Sequence, residues 1–368
     1  MTPFQVEIQV IMALVAAACA LPGVFLVLRR MALMSDAISH SVLFGIVIAF
    51  FIVREASSPL LILGAAASGV LTVWLVETLL RTGRVKEDAA MGLVFPLLFS
   101  IGVILIALYA ENVHLDIDTV LLGEVALAPL NRFTLLGINL PLGVWMMSGI
   151  LFINLALLLL FYKELKLSTF DTELAAALGF SPALLHYALM TVVSVTTVGA
   201  FDHVGPVLVV ALMIAPPAAA YLLTETLWKM LALSVAIGVV AAISGYWLAN
   251  TLDTNIAGAA ATMTGVFFLL ALLFAPQRGL LAKALQRRRR RQRFAVEMLL
   301  VHLHSHEGTA GEATENCLAH LTGELKWQPA FAQAAVKWAQ QQGLIAEQTQ
   351  PLALTDSGRT AAQQVLNR

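Results

Sequence analysis

The chain has 368 residues, of which 59% are hydrophobic and 12% charged, with a formal net charge of −1. So low a charged fraction, against about 25% in ordinary soluble domains, excludes a wholly soluble chain and points to an integral membrane protein. The near-zero net charge hides an asymmetry, because long runs up to Ala275 are almost free of charge and the chain turns polar after Lys283. These shifts divide the chain into a transmembrane domain over 1–280, an Arg-rich linker over 281–293 and a small domain over 294–368. The two cysteines, Cys19 in an apolar run and Cys317 in the tail, imply packing roles and no disulfide framework.

The N-terminus, Met1 to Gln9, carries no Lys or Arg, and the first apolar run ends at Arg29 and Arg30 without a small-residue cleavage site. It therefore reads as a first spanning helix and not as a signal peptide. A span needs about 20 mostly apolar residues. The apolar runs predict about nine: 8–28, 36–53, 59–80, 89–110, 133–161, 183–201, 205–223, 230–249 and 256–275. The stretch 119–132, with Gly123, Glu124 and Pro129, suits a re-entrant or interfacial piece better than a lipid-facing helix. Loop charges orient the whole. With the N-terminus outside, Arg29, Arg30, Arg81, Arg84, Lys86, Lys163, Lys166, Lys229 and the basic run from Arg278 to Arg293 fall inside. Only Arg54 and Arg132 fall outside, beside the acidic loop of Glu111, Asp116 and Asp118. An odd number of spans leaves the C-terminus in the cytoplasm.

Ionisable residues within spans are costly and mark function by default. Asp36 and His40, in Met34-Ser-Asp-Ala-Ile-Ser-His-Ser, are four apart and share a helical face. Such a pair suits a first-row divalent cation, or equally a helix cap beside a hydrogen-bonded histidine. Asp202 and His203 lie in Phe201-Asp-His-Val-Gly-Pro, where Gly205 and Pro206 break the helix. A broken helix with a carboxylate can hold a cation, and a short loop whose charges face water is the alternative.

Both segments reach a resemblance. Arg30-Met-Ala-Leu-Met-Ser-Asp-Ala-Ile-Ser-His-Ser-Val-Leu-Phe-Gly and Phe201-Asp-His-Val-Gly-Pro-Val-Leu-Val-Val-Ala-Leu-Met-Ile-Ala-Pro-Pro-Ala-Ala-Ala-Tyr-Leu-Leu resemble two signatures of the manganese/zinc/iron permease subunits of ABC transporters. The resemblance covers residues 5–280, with Phe44 where the family usually has Pro. It implies an all-α polytopic membrane protein of the ABC importer permease type, with Asp36, His40, Asp202 and His203 on the metal path. The inside loop Lys163 to Pro182 fits the same picture. Ser168 or Thr169 can cap a short helix there, and Gly179 with Pro182 can end it. Glu173-Leu-Ala-Ala-Ala-Leu-Gly resembles the loop by which ABC permeases dock on their ATPase, which assigns docking to Phe170, Asp171, Glu173, Ala175, Ala176 and Gly179. No Gly-Lys dipeptide occurs, so no Walker A phosphate loop is present and ATP hydrolysis falls to another polypeptide.

The tail shows helical periodicity at 294–304, 313–322 and 328–342, short strands near 344–347 and 352–354, and a last helix from Thr355. This order resembles a winged helix of the kind in metal-dependent repressors. From Phe294 onward four basic and seven acidic residues give −3, too negative for a DNA reader. The five consecutive Arg at 287–291 read as a contact for anionic lipid. His302, His304 and His306 raise a possible metal site, with His302 and His306 on one face, and a solvated helix end is the alternative.

Together these readings make the chain the permease subunit of an ATP-driven importer for a divalent transition metal, in a bacterial cytoplasmic (inner) membrane. It is not an enzyme and holds no permanent cofactor. The resemblance implies a cytoplasmic ABC ATPase dimer, a second permease chain, identical in a homodimer, and an extracytoplasmic metal-binding protein as partners; no nucleic acid is expected. Asp and His without Cys favour manganese over iron or zinc. A membrane-anchored transcription regulator and an ion-coupled secondary metal transporter are the rivals.

Overall fold

The computed structural model describes residues 2–54, 60–109, 125–135, 137–346 and 351–367. The acidic loop of Glu111, Asp116 and Asp118, and the first part of the expected 119–132 piece, lie outside those residues. The chain divides into two compact units, Met1–Gly279 and Leu280–Arg368.

The first unit contains α1 (Pro3–Leu28), α2 (Met34–Val53), α3 (Leu60–Arg81), α4 (Glu87–Tyr109) and α5 (Leu142–Leu160). It continues with α6 (Tyr162–Phe170), α7 (Thr172–Ala177), α8 (Pro182–Leu223), α9 (Leu227–Leu252) and α10 (Ile256–Phe274). All except α6 and α7 are long and apolar enough to cross a membrane, which makes eight among the described residues. The hub is α1: 78% of its apolar window is buried inside the protein against 22% for α4, so α4 lies at the periphery. Thr2 and Gln5 start α1 with a reciprocal capping box that satisfies two of its free backbone donors.

The eight spanning helices accommodate the nine expected spans, because 183–201 and 205–223 both belong to one 42-residue helix, α8. That helix is not straight. Gly205 adopts φ 74°, ψ 164°, a conformation open to glycine and costly for other residues. Thr197 Oγ1 lies 4.0 Å from Met213 Sδ although 16 residues separate them. In a straight helix that separation spans about 24 Å. The chain therefore folds back at Gly205, and its halves, α8a (182–204) and α8b (206–223), pack side by side.

The expected fifth span, 133–161, is also corrected. Its first third forms β1 (Arg132–Leu135) and β2 (Ile138–Pro141), an antiparallel hairpin turning at Gly137, φ 82°. Arg132 uses this hairpin to hold the start of α1, donating from Nη1 and Nη2 to the two carboxylate oxygens of Glu7 at 3.0 Å each. Elsewhere small residues let helices touch. Gly45 sits against the backbone of Gly64, and Gly23 against that of Met213, with no room for a Cβ at either.

The second unit contains α11 (Leu280–His306), α12 (Glu312–Glu315), α13 (Leu318–Glu324), α14 (Pro329–Gln341) and α15 (Asp356–Leu366). The 281–293 segment is thus no extended linker. Arg is a good helix former, and its exposed run continues α11 without a break. The expected 313–322 helix is interrupted at Asn316 and Cys317. Of the two expected strands, the described residues retain one antiparallel bridge, Ile345 to Leu354; 347–350 lie outside the described residues. The core of the unit is Leu299, Leu300, Leu303, Leu321, Val336, Ile345 and Leu354.

Candidate metal path and docking face

Asp36 lies in the first turn of α2, where the helix dipole favours a carboxylate. It does not act as the cap, a place held by Leu33 without a side-chain bond. Its Oδ1 lies 3.4 Å from His40 Nε2 one turn on, and the two side chains are 39% and 38% exposed. The His40 ring stacks on Phe95 at 5.4 Å and meets Phe99 edge-on at 6.2 Å, so α4 fixes its orientation. A carboxylate oxygen and an imidazole nitrogen at this spacing can share one ion, since metal–ligand bonds of about 2.1 Å place neighbouring donors about 3.4 Å apart.

The second pair separates. Asp202 is exposed, whereas His203 is buried with its ring against Gly143 at the start of α5. The expectation that His203 lines the path beside Asp202 meets a buried ring packed under α5, whose Nε2 has no hydrogen-bond partner among the described residues. The two candidate sites also do not coincide. Ile38 of α2 and Ser194 of α8a both meet Gly69, and Val42 packs with Val198, so α2 and α8a run parallel with a fixed offset. Extended at 1.5 Å per residue, that offset puts His40 about 9 Å and Asp36 about 15 Å below Asp202 along the helices. Within one chain they are two separate places and not one site.

The docking segment is built locally. Asp171 is the N-cap of α7, its Oδ1 accepting from Leu174 N at 2.9 Å. Ser168 and Thr169, expected as caps, serve otherwise. At the other end Gly179, φ 86°, closes α7 with paired bonds from Gly179 N to Ala176 O and Phe180 N to Ala175 O. Ser181 and Pro182 then start α8. Ala175 is fully buried and cannot meet a partner, which corrects its expected role. The outward face is instead large and apolar: Phe170, Leu174, Leu178 and Phe180 are all exposed. Period-3.6 spacing at Leu174 and Leu178 was the available signal for it.

A network that the sequence did not reveal joins this segment to the body. Arg29, just after α1, donates from Nη2 to Ser168 Oγ at 2.9 Å and from Nε to Thr169 Oγ1 at 3.2 Å. Its Nη1 also lies 3.3 Å from His186 Nδ1. The far nitrogen of His186 is 2.6 Å from Glu77 Oε1, and Arg81 pairs with Glu77 at 3.8 Å. Four elements, α1, α3, α6 and α8a, thereby meet at one polar knot. An apolar cavity of about 290 Å³ lies between α1, α5, α6 and α8a, lined by Leu21, Phe25, Leu158 and Leu189 together with Asn154.

Among the described residues, ten packed helices, eight of them able to span a bilayer, with an exposed apolar turn between α5 and α8 and acidic and histidine groups inside the body, define a polytopic membrane permease. The chain belongs to the ABC 3 transport family, whose model matches residues 1–275. It is a transport subunit and not an enzyme. It is 49% identical over 357 residues to the zinc transport system membrane protein TroD of Treponema pallidum, covering 97% of each chain, so this likeness includes the tail. It is 48% identical over 274 residues to the manganese transport system membrane protein MntD of Bacillus subtilis, covering 74% of this chain and 92% of that one. Among solved structures it resembles PsaBC from Streptococcus pneumoniae in complex with Fab, with TM-score 0.63, 27% identity and coverage of 76% and 94%.

Proposed function

We propose that this permease imports a divalent first-row transition metal, with Asp36 and His40 as the first-named ligands on its path and Asp202 as a second station. The observation that carries the reading is the half-exposed carboxylate–imidazole pair, 3.4 Å apart and set against Phe95 inside an apolar body. Relatives named for zinc and for manganese transport support the substrate class. One chain supplies two donors where an ion commonly takes four or more, so a second permease copy facing the first would complete the shell. Oxygen and nitrogen donors without sulfur favour manganese, with iron and zinc as its competitors.

A cytoplasmic ATPase dimer docks on the apolar face of α6 and α7, and an extracytoplasmic metal-binding protein delivers the ion. In this reading the N-terminus lies outside and the tail in the cytoplasm, an orientation that the loop charges support. The tail, which we read as a winged helix from its sequence, a reading that the Ile345–Leu354 bridge supports, regulates or steadies the transporter and does not read DNA. Its Arg run meets anionic lipid.

The test is Asp36→Asn, which keeps size and removes the charge. In vesicles holding the assembled transporter, uptake of radioactive manganese and zinc drops at least about tenfold, the lower end of what losing support for a metal ligand costs. Uptake equal to the parent in a correctly assembled variant removes Asp36 from the path.

A further inference from the structure

In the second unit three histidines converge. His302 and His306 stand one turn apart on α11, and α13 brings His320 across to them. One ligand atom from each lies within 4.8 Å of the other two. The ring centroids are 4.6, 5.4 and 6.0 Å apart. His302 is buried and the other two are partly buried, so this is a pocket wall and not a solvated helix end. His304, between the first two in sequence, faces Glu307 at 3.6 Å and takes no part.

The surroundings match those of metal-bound imidazoles. Glu315, at the end of α12, backs two of the rings. Its carboxylate pairs with His306 Nδ1, and its backbone carbonyl lies 3.5 Å from His302 Nε2. Ligating histidines regularly present one nitrogen to a carboxylate or carbonyl in this way, which fixes the ring and leaves the opposite nitrogen for the ion. Ordinary packing would not collect three imidazoles here, since the adjoining core of Leu299, Leu303 and Leu321 is aliphatic.

We propose that His302, His306 and His320 form a second metal site, selective for a nitrogen-preferring divalent ion of the zinc class, with solvent at the open position. A three-nitrogen shell at about 2.0–2.1 Å from the ion needs donor separations of about 3.4 Å, which small side-chain rotations reach. Imidazole donors suit zinc, nickel, copper or iron, whereas manganese is better served by carboxylates. The preference of this site therefore differs from that of Asp36 and His40. It stands apart from transport, because it requires only that the second unit be folded.

The experiment uses the full chain in detergent micelles, stripped of metal, on an Asp36→Asn/His40→Gln background that disables the candidate path. Zinc bound per chain is measured by equilibrium dialysis, and Co²⁺ serves as the optical probe. The background protein binds one equivalent of zinc and gives the visible bands of nitrogen-ligated, low-coordinate cobalt. Adding His302→Gln, His306→Gln and His320→Gln removes that equivalent. Because His302 is buried, His320→Gln alone is the second arm: it weakens zinc binding by about tenfold or more without changing the elution profile. Undiminished zinc binding in the triple variant overturns the site, as does cobalt without a nitrogen signature. An unchanged affinity in His320→Gln overturns the three-histidine assignment.

Discussion

Arg29 ties the end of α6, the segment proposed to dock, to the membrane body, and Arg29→Met tests that tie. The change keeps length and apolar stem while removing the bonds to Ser168 at 2.9 Å and Thr169 at 3.2 Å. A hydrogen bond to a charged group contributes about 1.5–3 kcal/mol. Arg29 is only partly buried, so the lower figure applies, and two bonds give about 3 kcal/mol. At about 1.4 kcal/mol per factor of ten, the end of α6 should detach about a hundredfold more often. Ser168 keeps its own bond to Leu165 O at 3.3 Å, so the helix itself survives. The direct readout is amide hydrogen exchange over residues 162–177, which reports local opening. Exchange should quicken by about that hundredfold, and metal imported per ATP hydrolysed should fall in reconstituted vesicles. Arg29→Lys, which retains a charge but lacks the planar fork, should fall between. Unchanged exchange together with an unchanged transport-to-ATP ratio would refute the reasoning.

The further outcomes bear on two separate surfaces. Gly179→Val forces a β-branched residue to φ 86° with no steric neighbour, so its cost is the local strain of about 1–2 kcal/mol; ATPase association, measured by pull-down titration, should weaken about tenfold while membrane insertion is unaffected. Leu178→Glu, placing a charge on the same exposed face, should weaken it further. For the tail, the full chain in micelles with Arg287 to Arg291 replaced by Gln should give no gel shift with duplex DNA at physiological salt, since the remaining surface neutralises few phosphates; deletion of 294–368 should leave insertion intact and alter transport rate or complex stability. Salt-dependent retardation that survives replacement of Arg287 to Arg291 would assign a DNA-binding surface to the tail itself.

The membrane body was legible because its cause is compositional: apolar runs of about 20 residues have few alternatives, and loop charges order them. Asp36 and His40 were legible for a related reason, as polar residues four apart in an apolar run share a face whatever surrounds them. What the sequence hid depends on distant partners. Nothing local distinguishes a Ser168 that caps a helix from one that receives Arg29, 139 positions away. The Asp202–His203 dipeptide looks like one site, yet adjacent residues on a helix point about 100° apart, and Gly143 of another helix claims His203. The spans of α8 were separable by Gly205 and Pro206, but only the Thr197–Met213 contact reveals that the halves fold together. The hairpin before α5 was absorbed into a span because Phe133, Leu135, Ile138 and Leu140 satisfy an apolar window equally well as strands. His320 escaped notice because it lies 14 positions beyond His306.

The helix α8a runs without interruption from the cap at Ser181 to Gly205. Its near end follows directly on the docking turn, and its far end carries Asp202. Its 23 residues make a strut of about 34 Å. An α-helix resists bending far better than a loop, so such a strut converts rotation at one end into displacement at the other. Tilting it by about 5° moves the far end by about 3 Å, more than a metal–oxygen bond length. The fold at Gly205 then acts as the elbow: α8b, packed against α1, can stay in place while the forearm swings. A movement too small to disturb the helix packing at the near end displaces Asp202 by more than the length of a metal–oxygen bond.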